Sequence, residues 1–500
     1  MNIELRFGHL NFSVEASTEP VPVHGGYVMD TCEIAILHPY DGAAFYRHGW
    51  NSWSPTGWRL LTEEPLRIYD NADRLLTADD SSRDLPDQHA GSVVGALDAA
   101  DGNVLLLGAL SLGNGRVVAD SRELRGDYEN TSGEWFVGFG RENDVFARYS
   151  ALLKQRFGST SAASRRVWSS WYSCFEDVSE VRMDQILDGL RGYPFDVVQL
   201  DDGWQQSVGD WVPNAKFPSG MRAFADRTLA AGFEAGLWLA PFICIPDSAV
   251  AIEHPDWLLK DVCGDPVVAG YNWGKHYYTF DTTLSEVRVH LRDLFRGFFD
   301  AGYRYFKLDF MYAAALPGVR STDIAREDAY RDAIALIRQT VGPSTYLLGS
   351  GVPMLASIGI FDGVRVGPDV APYWDNSERH KDPSGPGALN SLVNSMNRVW
   401  MRDLYHLDPD VVFFRSRQNL LDRESRQALI DIATVLDFKS TSDPVDWLDE
   451  NERVQLRQFL SGSSRVVRRG RYSFDIDDRH VDFSEFISTT GRISDRLLVK

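Results

Sequence analysis

Apolar and polar positions alternate in short stretches over the first third of the chain, as in NIELRF, VVGALDA and NVLLLGAL, punctuated by Gly, Asp and Asn. Period-two alternation between turn residues is the pattern of half-buried strands, so residues 1–165 are expected to form an N-terminal β-sandwich. From Val167 the texture changes: short apolar runs alternate with amphipathic segments of helical length, each closed by glycine or proline. Eight runs read as strands: VWSSWY, FDVVQLDD, AGLWLAPF, YRYFKLDF, TYLLGSG, GVRVGPDV, PDVVFFR and a weaker one at FKSTS. Eight such units predict a central (β/α)8 TIM barrel over residues 166–450. After about residue 460 the alternation returns in SRVVRRGRYSFDI and HVDFSEFI, predicting a small C-terminal β-rich domain over residues 451–500.

Two of the intervening helices have readable faces. In FPSGMRAFADRTLAAG, Met221, Phe224, Ala225 and Leu229 are expected on one side, with Gly232 ending the helix. Between Leu284 and Gly302, Val287, Leu291, Leu294, Phe295 and Phe298 form an apolar stripe that would cover the outside of a parallel sheet.

A length of 500 residues leaves room for two or three folding units, one of them a large barrel. With 44% hydrophobic and 24% charged residues, the composition is that of a packed globular protein. A formal net charge of −20 repels phosphate backbones and anionic membranes, so nucleic acid is not an expected partner. The opening MNIELRFGHLNFSVEA lacks a basic leader with an apolar core, and no later stretch approaches bilayer-spanning length. A cytoplasmic protein without a membrane partner is therefore expected. Cys32, Cys174, Cys244 and Cys263 are scattered without CxxC spacing and read as reduced thiols. The eleven histidines show no HExxH-type spacing, so a bound metal is not expected.

In a barrel of this kind, reactive groups gather where the strands end at the C-terminal face. In YRYFKLDF, Tyr305, Lys307 and Asp309 share one face, while Phe306, Leu308 and Phe310 share the other. An ammonium beside a carboxylate favours its ionised form, as a nucleophile requires. The same two residues equally describe an ion pair that merely fills the barrel. In GVRVGPDV, Arg365, Gly367 and Asp369 share a face in the same way, although a strand-end aspartate also serves as a cap. Two inward carboxylates, one ionised and one holding a proton, are what glycosidic cleavage needs. VVQLDDGWQQSVGDW adds Asp201 and Asp202, able to accept several sugar hydroxyl hydrogen bonds, with a metal site or a turn as competing readings. Trp171 in SSWYSCF and Trp238 in AGLWLAPF stand at strand ends, where a flat ring either stacks on a pyranose or fills core.

QLDDGW, KLDF and RVGPDVAPYW, in this order and at matching strand ends, resemble the α-galactosidases of glycoside hydrolase family 36. The resemblance runs from about Trp168 to beyond residue 440, and FYRHGWNSWSPTGW is similar to a loop of that family's β-sandwich domain. It implies a retaining α-galactosidase with Asp309 as nucleophile and Asp369 as acid/base, acting on α-galactoside oligosaccharides without a cofactor. It further implies substrate-binding roles for Asp201, Asp202, Lys307, Arg365, Trp171 and Trp238, the two aspartates meeting galactose O4 and O6. Ser350, in GSG, stands where similar members often carry cysteine near the sugar 2-position. Relatives on the same barrel cleave α-N-acetylgalactosaminides or transfer galactose. Those activities, a non-catalytic sugar-binding protein and a metal-dependent barrel enzyme are the competing expectations. Trp50 and Trp53, between Phe45 and Trp58, either wall the acceptor side of the barrel mouth or anchor a domain interface.

Overall fold

The computed structural model of the chain describes residues 1–66, 85, 87–99, 101–160, 162–376, 385–488 and 498–499. NIELRF, VVGALDA and NVLLLGAL become the strands Asn2–Phe7, Val94–Asp98 and Asn103–Ala109. They belong to two antiparallel sheets of six and seven strands. The sheets press together closely enough that a Cβ on Gly95 would stand 2.6 Å from Val117 of the opposite sheet. One element in this region departs from the expected strands, a helix over Glu142–Phe157. Its buried Val145, Phe146, Tyr149 and Leu153 follow helical rather than strand spacing, and Glu142, Asp144, Lys154 and Arg156 oppose the helix dipole at its two ends. Phe146 and Tyr149 then meet Trp400, each with ring centroids 5.5 Å apart, and so join the sandwich to the next unit.

That unit is an eight-stranded parallel sheet of TIM-barrel type. Its strands are β1 (Arg166–Ser169), β2 (Val197–Leu200), β3 (Glu234–Leu239), β4 (Tyr305–Leu308), β5 (Tyr346–Gly349), β6 (Gly363–Arg365), β7 (His406–Asp408) and β8 (Lys439–Thr441). They are hydrogen-bonded in the order β7-β6-β5-β4-β3-β2-β1-β8. The seventh strand is displaced from the expected PDVVFFR to His406–Asp408. Pro409 has no N–H to give to a ladder, and Asp410 at φ 79° leaves the extended region. What survives of the expected strand is one parallel bridge, Val412 to Thr441 of β8.

Helices α1 (Glu180–Leu190), α2 (Gly220–Ala230), α3 (Ser285–Asp300) and α4 (Arg326–Val341) each link successive strands from β1 to β5. Between β5 and β6 the link is a single 3-10 turn, Leu355–Ser357. In α3 four of the five expected stripe residues, Val287, Leu291, Phe295 and Phe298, are buried, Leu294 is partly buried beside them, and Phe295 is edge-on to Phe306 of β4 at 5.5 Å. In α2 the face is Met221, Phe224, Ala225 and Thr228, whereas Leu229 is 69% exposed. Thr228 completes the i, i+3, i+4, i+7 row, and its hydroxyl is satisfied by donating to the Phe224 carbonyl at 3.0 Å.

The strand interior has two levels. Its lower level is a separate apolar cluster of Val167, Val197, Tyr305, Tyr346, Leu348 and Phe438, with Tyr305 and Tyr346 stacked at 5.1 Å. Above Tyr305 on the same face of β4 comes Lys307, and the lining turns from apolar to charged. After helix α5 (Glu450–Ser461), a three-stranded antiparallel sheet spans Val466–Arg468, Ser473–Ile476 and Arg479–Asp482.

Candidate active site

A cavity of about 230 Å³ opens at the C-terminal ends of β2, β3, β4 and β6, large enough for one small polar ring. Trp171, Asp201, Asp202, Trp238, Lys307, Asp309 and Asp369 all line it. Ser350 and Arg365 are buried behind that lining.

Asp309 follows β4 directly. Its Oδ2 accepts a hydrogen bond of 2.9 Å from Trp238 Nε1, and its Oδ1 accepts one of 3.0 Å from the Phe310 backbone N–H. Phe310 sits at φ 55°, a left-handed conformation uncommon for a bulky residue, so the chain bends sharply just after the carboxylate. Trp238 is 2% exposed, and its indole orients Asp309 as well as packing.

The ion pair expected between Lys307 and Asp309 closes elsewhere: Lys307 Nζ lies 2.9 Å from Asp201 Oδ2 at the end of β2. A strand-end aspartate on the neighbouring arc of the sheet is a better-placed partner than a residue two positions along the same strand. Burial, the largest single influence, and Arg365 pull the Lys307 ammonium down, but the Asp201, Asp309 and Asp369 carboxylates together outweigh them. Asp201 also accepts from Gln199 Nε2 and Ser169 Oγ, so its carboxylate is held from three sides.

Asp202 is 5% exposed, and its two oxygens accept from Gln205 Nε2 at 2.6 Å and Trp273 Nε1 at 2.8 Å. Burial pushes its carboxyl up to about 6 in spite of those two donors. Trp273 reaches it from the tip of a hairpin, Val268–Asn272 paired with Lys275–Thr279, whose two turn residues Trp273 and Gly274 stand at φ 52° and 71°. A two-residue turn with both φ positive ordinarily carries Asn-Gly. Here a tryptophan takes the strained place and lines the cavity with Tyr271 and Asn272. The hairpin is not among the elements the sequence predicts, because Trp-Gly stands where a two-residue turn ordinarily shows Asn-Gly.

Asp369 lies past the end of β6, so the shared strand face expected for it extends only to Arg365. Arg365 Nη1 lies 3.1 Å from Asp369 Oδ1, Nε lies 3.1 Å from Asp408 Oδ2, and Nη2 lies 3.0 Å from Asp410 Oδ1. One guanidinium thus stands among three carboxylates. Asp369 sits deep in the protein, yet 42% of its side chain opens to the cavity. Burial and the neighbouring Asp410 push its carboxyl up to about 6 against the pull of Arg365 and Lys307. A seventh strand at PDVVFFR puts neither Asp408 nor Asp410 at a strand's C-terminal end. Once β7 ends at Asp408, they follow the same strand-end rule as the other carboxylates.

The sandwich contributes to the cavity through the loop after its strand Ala44–Arg47. Trp53 lines the cavity at 6% exposure, donates from Nε1 to Ser350 Oγ at 3.1 Å and stands edge-on to Phe310 at 5.2 Å. Trp50 is 1% exposed and packs edge-on to Tyr312 at the interface between the units. The loop is fixed by Arg398, wholly buried, whose guanidinium donates to the carbonyls of Asn51, Ser52 and Ser54 and to Val366 just after β6.

Against known proteins, residues 136–337 match the Melibiase family model. An α-galactosidase from Thermus thermophilus, solved with p-nitrophenyl α-D-galactopyranoside, is 41% identical, with a TM-score of 0.91 over 97% of this chain and 100% of that one. The chain belongs to the α-galactosidases of glycoside hydrolase family 36. A family member from Geobacillus stearothermophilus shares the fold at 14% identity and a TM-score of 0.60, over 92% of this chain and 68% of that one. Alpha-galactosidase 2 of Pediococcus pentosaceus is 28% identical over 163 residues, 31% of this chain. That match spans 21% of the Pediococcus protein, so this chain aligns with about a fifth of its length. Among the described residues, no helix is long and apolar enough to cross a membrane.

Proposed function

We propose that this protein is a retaining α-galactosidase in which Asp309 is the nucleophile and Asp369 the acid/base. The observation that carries the proposal is the meeting of two differently prepared carboxyls in one cavity. Asp309 is oriented by Trp238 and Phe310 N–H, whereas Asp369 keeps its proton up to about pH 6. That asymmetry suits double displacement. Asp369 gives its proton to the glycosidic oxygen as the C1–O bond breaks, and an Asp309 oxygen attacks C1 to form a β-galactosyl ester. Asp369, now a carboxylate, takes a proton from water; the water oxygen attacks C1, Asp309 departs, and α-galactose is released.

Asp201 and Asp202 bind sugar hydroxyls in this reading, as acceptors held in place by Lys307, Gln205 and Trp273. Trp171 and Trp238 wall the ring. Arg365 and Ser350 act from behind, through Asp369 and Trp53. The Thermus relative has also been solved with stachyose, which supports α-galactoside oligosaccharides as substrates. A closed (β/α)8 barrel belongs to the same reading and is supported by the Val412–Thr441 bridge. So does a cytoplasmic setting, supported by four cysteines that all stand free.

Initial rates on p-nitrophenyl α-galactoside, α-glucoside and α-N-acetylgalactosaminide test the substrate, with the galactoside expected to dominate. Preference for the acetamido sugar would reassign the pocket, and silence on all three would favour a binding protein. Asp309→Gly is expected to abolish turnover with the fold intact. Asp369→Ala is expected to keep more activity on aryl than on alkyl galactosides and to be rescued by azide. Equal losses on both substrates, without rescue, would remove Asp369 from its role.

A further inference from the structure

We propose that Asp410, in the loop after β7, is the positioning residue for Asp369, holding its carboxyl in place and sharing the Arg365 guanidinium that would otherwise draw off its proton. The proposal rests on Asp369 being the acid/base.

Two separate routes connect the pair. The first runs through the backbone: Asp410 Oδ2 accepts a hydrogen bond of 2.9 Å from the N–H of Val370, the residue next to Asp369. The second runs through Arg365, whose Nη2 lies 3.0 Å from Asp410 Oδ1 while its Nη1 lies 3.1 Å from Asp369 Oδ1. Asp410 is itself held on every side. It is 2% exposed; its N–H donates to Asp408 Oδ1 at 2.8 Å, its Oδ1 accepts from Val411 N–H at 2.8 Å, and its Oδ2 accepts from the Tyr172 hydroxyl. The chain is strained at both ends of this link, with Asp410 at φ 79° and Ala371 at φ 50°. Non-glycine residues stay in that region only where their surroundings fix them, and such strain gathers at functional sites.

The charges make the same connection. The groups acting on Asp369 are Arg365 and Lys307, which favour its ionised form, and Asp410 and Asp309, which oppose it. Asp408 and Tyr172 complete the cluster, Asp408 on Arg365 Nε and Tyr172 on Asp410. Had Arg365 faced Asp369 alone, their pairing would strip the proton from the acid. With Asp408 and Asp410 sharing the guanidinium, its pull on the Asp369 proton is opposed, and burial with Asp410 keeps the net shift upward. The arginine then serves as a clamp without abolishing the acid.

Asp410→Asn keeps the shape and removes the charge. Asp369 should then lose its proton at lower pH, so the alkaline limb of kcat/KM is expected to move down by about one pH unit. The loss near neutral pH should be larger on methyl than on p-nitrophenyl α-galactoside, because only the poor leaving group needs the proton. A limb that stays in place while both substrates lose activity equally would overturn the proposal and leave Asp410 a purely structural residue. Tyr172→Phe provides a second variant should Asp410→Asn fail to fold. It removes a donor to Asp410 but keeps the carboxylate, so the methyl galactoside should again suffer more while the limb does not move down. A downward shift in that variant would show that looseness rather than charge moves the limb, and would overturn the proposal too. If Asp369→Ala shows no azide rescue, the acid/base reading falls and takes this inference with it; rescue together with an unmoved limb in Asp410→Asn removes this inference alone.

Discussion

Asp369 in the folded chain holds its proton to about pH 6, while an aspartate without these neighbours releases it at 3.8. Folding is linked to protonation through that difference. Because the folded value is the higher one, the carboxyl costs nothing extra below 3.8 and destabilises the fold as pH rises through about 6. Asp369→Asn is therefore expected to melt above the wild type at pH 8, by about 1 kcal/mol once the part of the side chain facing the cavity is discounted. Thermal melts at pH 8 and pH 4 check this, and the advantage should vanish at the lower pH. A stabilising substitution that removes activity is the expected signature of a site whose chemistry works against its packing.

At the scale of single elements, α2 separates what periodicity decides from what it leaves open. Phe224 is fully buried and Leu229 is 69% exposed, so Phe224→Ala should cost about 3–5 kcal/mol and Leu229→Gln about 0.5 kcal/mol or less in denaturant melts. The sequence could not rank Leu229 against Thr228, because an apolar residue outside the row and a threonine inside it differ only once the sheet is in place. β4 was legible for the opposite reason. Tyr305 and Lys307 face the barrel and Phe306 faces α3, and the two sides of the strand carry side chains too different to exchange. β7 differs from its expected place because the apolar run VVFF lies beyond a proline, whereas the ladder stops at Asp408 ahead of it. Asp309, Asp201 and Asp202 line the cavity just past the strand ends where the sequence places them, and Asp369 lines it from farther past the end of β6. The Trp273 hairpin and the contact of Asp410 with Val370 N–H are not legible in the same way, because each joins residues that only the folded chain brings together.

Across the whole molecule, the sandwich and the barrel are joined by polar groups set in apolar surroundings. Glu327 in α4 accepts hydrogen bonds of 2.8 Å from the N–H groups of Gly113 and Asn114, and Arg326 forks onto Glu129. Arg398 binds three carbonyls of the Trp53 loop and one carbonyl next to β6. Trp53 thus belongs to the interface and to the cavity at once. Trp53→Ala should lower kcat/KM on an α-galactoside about tenfold or more, the order of 1.4 kcal/mol in transition-state binding. An unchanged kcat/KM with a lowered melting temperature would leave Trp53 a packing residue alone.

The Arg398 latch also bears on how such a protein can be inherited. A barrel cut free of its sandwich would keep a buried guanidinium but lose three of the four carbonyls that receive it, and would lose one wall of its cavity in the same stroke. The two units therefore cannot be shuffled as independent modules. Because the guanidinium meets backbone carbonyls, the side chains of the loop can change as long as its path and Arg398 are kept.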